Sequence, residues 1–252
     1  MVSPHVVFID PINPNQKIWR YMDFAKSVGL LSSQELYFTR PDKFEDVFEG
    51  SLSLATMREI EANLGGTTEQ KAHLKLLLNQ GILKNASTLL NGVNCWHMND
   101  HESAAMWKLY LKSNEGIAIQ TTYTKLRQAL TPSEHECFIG IVHYIDYDND
   151  IMRSDNSFSP LIHKRKSFEH EKEIRAVVQI HANMPVEGAR AKTIEQLLPG
   201  LGVGVSLDDL IETVYVSPDS PQWLTRLVAD TCSRFGFDFK IVCSRLYERP
   251  IY

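Results

Sequence analysis

Four clusters in this 252-residue sequence set charged side chains beside aromatic ones where a plain scaffold needs neither. In Trp19-Arg20-Tyr21, strand alternation turns Arg20 away from the two rings and toward a phosphate or carboxylate. The competing reading is a solvated or structurally paired arginine. In the run from Arg40 to Glu49, Asp46 and Glu49 lie three residues apart and share a metal or a proton if the turn is helical. They serve equally as caps of a turn anchored by Phe44 and Phe48.

The third cluster, CWHMNDHESAAMWKLY, offers Trp96 and Trp107 as pocket walls and Glu102 in the first turn of a helix, where the dipole favours a carboxylate. His97 and His101 straddle a turn-like Asn99-Asp100, and zinc needs three or four convergent ligands, so no metal ligand is assigned. The fourth runs from Lys164 to Arg175, with Arg165 in its basic start. Glu171, Glu173 and Arg175 share one side if a strand begins early. A carboxylate held beside cations keeps its charge and can steady a developing positive centre or bind a ribose hydroxyl. A solvated salt-bridge ladder is the alternative.

These residues need a frame, and periodicity supplies one. Strands are expected over KIWRYMDF, ELYFT, GVNCWHM, GIAIQTT, a long FIGIVHYIDY and about Glu173 to His181. A helix follows in FAKSVGLLSS, and another in ESAAMWKLYLK with Ala105, Leu109 and Lys112 on one side. Residues 51–90 read as a helical insertion divided at Gly65-Gly66, and the last fifty as strand, helical turn, strand, helix, strand. The class expected is α+β: one domain over 1–252 with a central mixed or antiparallel sheet and residues 1–16 as a tail.

Composition narrows the partners. With 43% hydrophobic and 23% charged residues the chain is globular, and no apolar run approaches a membrane span. The start lacks the pattern of a secretory signal, and four scattered cysteines suit a reducing cytoplasm better than a disulfide framework. A net charge of -5 gives no global attraction to nucleic acid, which leaves a local basic groove as its route to the chain.

In order, WRYMDF, LYFTRPDKFEDVFEG, CWHMNDHESAAMWKLY, GIAIQT, VHYIDY and KRKSFEHEKEIRAVV resemble the bacterial domain-of-unknown-function family numbered 2971 over most of the chain. Its most specific pieces are the run Phe44, Asp46, Glu49 and the run ending at Arg175. The insertion at 51–90 is longer than the resemblance implies. The order of parts also resembles ADP-ribosyltransferases, although Phe38-Thr39-Arg40 replaces a Ser-Thr-Ser strand. That resemblance implies that Arg20 holds NAD, Thr39 braces the site, Glu173 steadies an oxocarbenium-like ribose and Glu171 positions the acceptor.

The expectation is therefore an enzyme of bacterial conflict or phage defence acting on a nucleotide or nucleic-acid-derived substrate, with NAD as co-substrate. Glu173, Glu171 and Arg20 are its catalytic residues. Tyr21, Thr39, Arg40, Asp46, Glu49, Trp96, Glu102, Trp107, Arg165 and Arg175 bind substrate. Arg20, Asp46, Glu49, Glu102, Glu173 and Arg175 should share one concave surface, with Trp96 and Tyr21 as its apolar wall. The alternatives are a magnesium-dependent nuclease using Asp46, Glu49, Glu102 and Glu173, and a non-enzymatic sensor or partner-binding domain.

Overall fold

The computed structural model describes residues 1–79, 81–111, 114–180 and 198–250. The fold is α+β, built on one mixed sheet. Its middle is β3 (Asn91–Met98), paired along its whole length with β8 (Glu173–Gln179), which in turn pairs with β5 (Cys137–Ile141). The other edge of β3 is shared. β1 (Lys17–Asp23) meets it at one end through Ile18 and Met98 and through Trp19 and His97; β2 (Glu35–Thr39) meets it at the other through Thr39 and Val93. From β1 the sheet continues through β4 (Gly116–Thr122), β10 (Thr213–Val216) and β11 (Ile241–Cys243), and from β2 to β9 (Gly200–Gly204). A two-stranded parallel ribbon of β6 (His143–Ile145) and β7 (His163–Arg165) stands apart.

β1 and β2 diverge where they leave β3, and a side chain fills the gap. Asn94 donates from Nδ2 to the Tyr37 carbonyl at 2.9 Å and accepts from Trp96 Nε1 at 2.7 Å. Register assigns the two faces. Ile18, Met22, Trp96, Ile174 and Ala176 face the main core, covered by α1 (Phe24–Ser33), α6 (Tyr123–Leu130) and α8 (Gln222–Arg234), with the short α7 (Leu207–Leu210) packed beside α6. Trp19 and Tyr21 face the opposite way, under α5 (Ala104–Tyr110), as do Cys95, His97, Glu173 and Arg175 on the paired strands. A long ladder to β8 on one edge, with shorter pairings to β1 and β2 on the other, holds β3, so its side chains are fixed more rigidly than any loop would fix them.

Several expectations change. Residues 1–9 are not a loose tail: Val2 bridges Cys137, Ile9 accepts from Ile141 N–H, and Val7 and Phe8 pack with Phe138, Phe158 and Leu161. A Cβ at Gly140 would meet the Phe8 backbone at 2.8 Å, so glycine is what lets this segment cover the outer side of β5. Residues 51–90 hold three helices, α2 (Leu54–Ala62), α3 (Thr68–Asn79) and α4 (Ile82–Leu90), with a second break at Gly81 in the left-handed region. The long strand expected at 138–147 is cut at Val142, where the backbone leaves β5. β8 ends at Gln179, and His181, like Lys112 of the expected third helix, lies outside the described residues. Among the described residues no helix is long and apolar enough to cross a membrane.

Candidate functional site

On the Tyr21 face, three carboxyls meet two cations. Arg175, inward from β8, donates from both Nη atoms to Glu49, at 2.9 and 2.7 Å, and from Nε to Glu173 at 2.5 Å. Its Nη1 also reaches the Leu161 carbonyl at 2.7 Å. Lys164 of β7 bonds Glu171 and lies 3.3 Å from Glu173 and 3.5 Å from Glu49. Glu173 and Arg175 share a side because both lie within β8, whereas Glu171 belongs to the 3₁₀ turn Lys166–Glu171 that precedes the strand. Lys172 between them is left-handed, with φ 41° and ψ 56°. That rare conformation for a side-chain-bearing residue swings the Glu171 carboxyl back onto Lys164.

Charge counting explains the titration. Glu49, Glu171 and Glu173 carry one more negative charge than Lys164 and Arg175 offset, so one carboxyl tends to keep a proton. Burial first, then the Glu173 charge, pushes Glu171 up to about 7, against the pull of Lys164. Burial would also raise Glu173, but Arg175 and Lys164, with a hydrogen bond from Glu171, outweigh it and hold the carboxyl down to about 2. Two neighbouring carboxyls driven apart in this way are the arrangement from which acid and base roles are assigned.

Further side chains frame the pair. The Tyr144 hydroxyl accepts from Glu173 N–H at 2.8 Å, and burial, then the Glu173 charge, raises its phenol above the usual range. Arg165 donates to Asp46 at 2.9 Å and lies over the Phe48 ring at 4.1 Å. His97 sits directly across the ladder from Glu173. Arg20 points away from Trp19 and Tyr21 as alternation requires. Its guanidinium lies 5.9 Å from the Trp96 ring centre, with Nη1 sealed from solvent and without a partner among the described residues. Burial lowers its pKa, and the neighbours that oppose this, the Cys95 thiol and the Tyr110 hydroxyl, are themselves held protonated: burial pushes Cys95 up to about 12 and raises Tyr110 above the usual phenol range.

The expected residues thus separate into groups. Glu49, Glu171, Glu173 and Arg175 form one network, with Asp46 one ion pair away through Arg165, beside Lys164 in the chain. Arg20 shares the alternation of Ile18 and Met22 and stands beside Trp96, on the side of the sheet away from Tyr21, with Cys95 and Tyr110 within electrostatic range. Glu102 is outside it. Ser103 caps α5 and Glu102 precedes the helix, accepting from Trp107 Nε1 at 2.9 Å in a separate groove lined by Lys17, Asp100, Tyr215 and Arg245. Arg40 is fully buried and closed on Asp42 at 2.7 Å through both Nε and Nη2, so it has no guanidinium edge left for a ligand. Trp96 is 1% exposed on the face away from Tyr21, so the two form no common wall. Tyr21 packs edge-on against Trp107 instead, at 4.9 Å. Thr39 ends β2, opposite Val93 and Gly200.

The ligand set of a magnesium nuclease does not assemble, because Asp46 is taken by Arg165, Glu49 by Arg175 and Glu102 by Trp107. Among the described residues no three His, Cys, Asp or Glu side chains are grouped to hold a metal ion. Sequence reasoning named Lys164 only as the head of a charged cluster and gave it no role, passed over Tyr144 and Tyr110, and weighed His97 only as a metal ligand. Lys164 had a signal, as the lysine at the head of the charged approach. Tyr144 and Tyr110 had none, since nothing local tells which tyrosines face a distant carboxylate.

No protein-family model matches the chain, and no curated protein matches it. Three solved structures resemble it along most of its length. They are Thermus sp. 2.9 DarT in complex with NAD+ (TM-score 0.43, 8% identity, 94% of this chain and 98% of that one), with ADP-ribosylated ssDNA (0.40, 10%, 94% and 96%) and with carba-NAD+ (0.37, 10%, 92% and 97%). Likenesses this distant establish neither the fold nor the function of this chain.

Proposed function

We propose that this protein transfers a ribosyl group from a nucleotide, with ADP-ribosyl transfer from NAD as the specific form. The observation that carries the reading is the surplus carboxyl of the Glu49, Glu171, Glu173, Lys164, Arg175 network. Breaking an N-glycosidic bond sends its electron pair to the departing base and leaves positive charge on the ribose, whose transition state resembles an oxocarbenium ion. A site with one carboxyl too many meets that charge without recruiting anything from solvent.

Each residue then has a task. Glu173, ionised at neutral pH and fixed at the start of a rigid strand, supplies the negative charge. Glu171, near 7 and 13% exposed, gives up its proton as positive charge arrives and hydrogen-bonds a ribose hydroxyl. Arg20, a guanidinium with no counter-ion among the described residues, suits the pyrophosphate. Lys164 and Arg175 orient the carboxyls. The donor is therefore a dinucleotide with a cationic base, and the acceptor carries a hydroxyl or N–H group, in a protein or a nucleic acid.

The test is incubation of the pure protein with labelled NAD and cell extract, with and without magnesium, beside Glu173→Gln. Label transfer that is indifferent to magnesium, and about a hundredfold or more slower in the variant, supports the reading. Absence of NAD binding and of transfer overturns it. A lowered melting temperature with an unchanged rate makes Glu173 a scaffold residue and removes the reading's main support.

A further inference from the structure

We infer that His97 is the proton acceptor of this site, a role that rests on the transfer reading above. Its Nδ1 lies 2.5 Å from the Glu171 carbonyl, and a carbonyl oxygen only accepts, so Nδ1 carries the hydrogen and Nε2 the lone pair. Nε2 is sealed from solvent and has no partner among the described residues, although the residue keeps 7% of its surface. Buried acceptors are nearly always satisfied, and one that is not calls for a reason.

The surroundings keep that lone pair basic. The groups facing the ring are Glu173 across the ladder, Glu171, Lys172 and His170 on the turn before β8, and Tyr21 edge-on at 6.2 Å from β1. Burial, with the Lys172 and His170 charges, favours the neutral ring; the hydrogen bond to Glu171 and the Glu173 charge oppose it without winning. The carboxylates around it are each engaged by a cation. Both Glu173 oxygens answer to Arg175 and Lys164, both Glu49 oxygens to Arg175, and Glu171 is held by Lys164.

In the transfer, the acceptor's oxygen or nitrogen forms a bond to C1′ of the ribose while the C1′–N bond to nicotinamide breaks. The bonding pair passes to the ring nitrogen, and nicotinamide leaves neutral. The proton displaced from the acceptor moves to Nε2, giving an imidazolium that the ionised Glu173 stabilises across the ladder, and is then lost to solvent. Oxidation states are unchanged, and no further reactant is needed.

The discriminating variant is His97→Asn, whose amide N–H keeps the hydrogen bond to Glu171 but offers no base. Transfer rate against pH, NAD affinity by calorimetry and melting temperature are measured on both proteins. The proposal expects NAD affinity within about twofold of the parent, transfer slower by roughly 10²–10⁴-fold, and loss of the parent's fall in rate below about pH 6.5. A variant that binds NAD, transfers within about threefold of the parent and keeps the acid limb overturns the role of His97 and leaves the transferase reading standing. A parent that neither binds nor transfers NAD removes both, and this shows in the parent rather than in the variant. If His97→Asn does not fold, long-range ¹H–¹⁵N spectra of the parent read the tautomer directly, and an Nε2–H ring overturns the proposal.

Discussion

Replacing Glu171 by glutamine should make the protein more stable at neutral and alkaline pH. The amide reproduces the protonated carboxyl: its oxygen still accepts from Lys164, and its N–H donates toward Glu173. What it removes is the surplus charge. In the folded chain the Glu171 carboxyl titrates near 7 rather than at its ordinary 4.5. The native state therefore binds more protons than the unfolded chain between those values, and its stability falls as pH rises through that window. At about 1.4 kcal/mol for each unit of pKa, the loss is up to roughly 3 kcal/mol above pH 7 and vanishes below pH 4.5. Glu171→Gln should match the parent at pH 4.5 and exceed it by up to that amount at pH 8, a rise of roughly 6–12 °C in melting temperature for a chain of this size. Urea unfolding of both proteins from pH 4.5 to 8 checks it. A variant less stable than its parent at pH 8, or a difference that does not change with pH, refutes the charge count. If Glu171 also serves the reaction, the stabler variant is the slower enzyme, the usual exchange of activity for stability.

Other outcomes follow from the same geometry. Lys172→Gly should raise stability by about 0.5–1 kcal/mol, because the left-handed penalty it relieves exceeds the entropy that glycine adds to the unfolded chain; a lower urea midpoint would show that Lys172 is unstrained. His143 and His163 face each other across the β6–β7 ribbon with ring centres 5.4 Å apart. Burial lowers both, and His143 lowers His163 further. The unfolded chain therefore takes up protons first, and stability drops as pH falls below about 6.5; His163→Gln should flatten that fall, and an unaltered slope would exclude the pair as its source. NAD binding should release close to one proton at pH 6 and less as pH rises past 7, read from the dependence of calorimetric heat on buffer ionisation. ADP-ribose, without the cationic ring, should release none, and equal release from both would contradict the reading of the surplus carboxyl.

The frame was largely legible because it rests on local pattern. β1, β2, β4 and β8 lie within a residue or two of their apolar runs, and Arg20 faces away from Trp19 and Tyr21 as alternation demands. The cluster from Lys164 to Arg175 and the acidic run at Asp46 and Glu49 both stand beside the site because charges of this density are not scattered through a core without partners. What stayed hidden was set by pairing between distant segments. Alternation puts Trp96 and His97 on opposite faces but does not say which face the charged strand shares, and the β3–β8 register assigns it to His97. Glu102 sits one residue before the cap because Ser103 takes that position, a choice between neighbouring capping residues that local sequence leaves open. The first nine residues look like a tail because what organises them, Phe138 and Phe158, lies more than a hundred positions away.

Several energetic costs stand around the β1–β3–β8 part of the sheet. A five-membered buried ion network stabilises a fold no better than apolar residues of the same volume, and this one is unbalanced by a carboxyl. Lys172 spends conformational energy to bring that carboxyl onto Lys164. Beside Trp96, the partly buried Arg20 carries a positive charge that no anion among the described residues answers. Packing alone would have removed the surplus acid with a glutamine and the orphan base with a leucine or methionine, each without changing the strand that bears it. The two imbalances are opposite, so a ligand with only negative groups would satisfy Arg20 and aggravate the carboxyls, and one with only a positive centre would do the reverse. A molecule that joins a cationic ring to a pyrophosphate would correct both at once, and that is the form of donor proposed above.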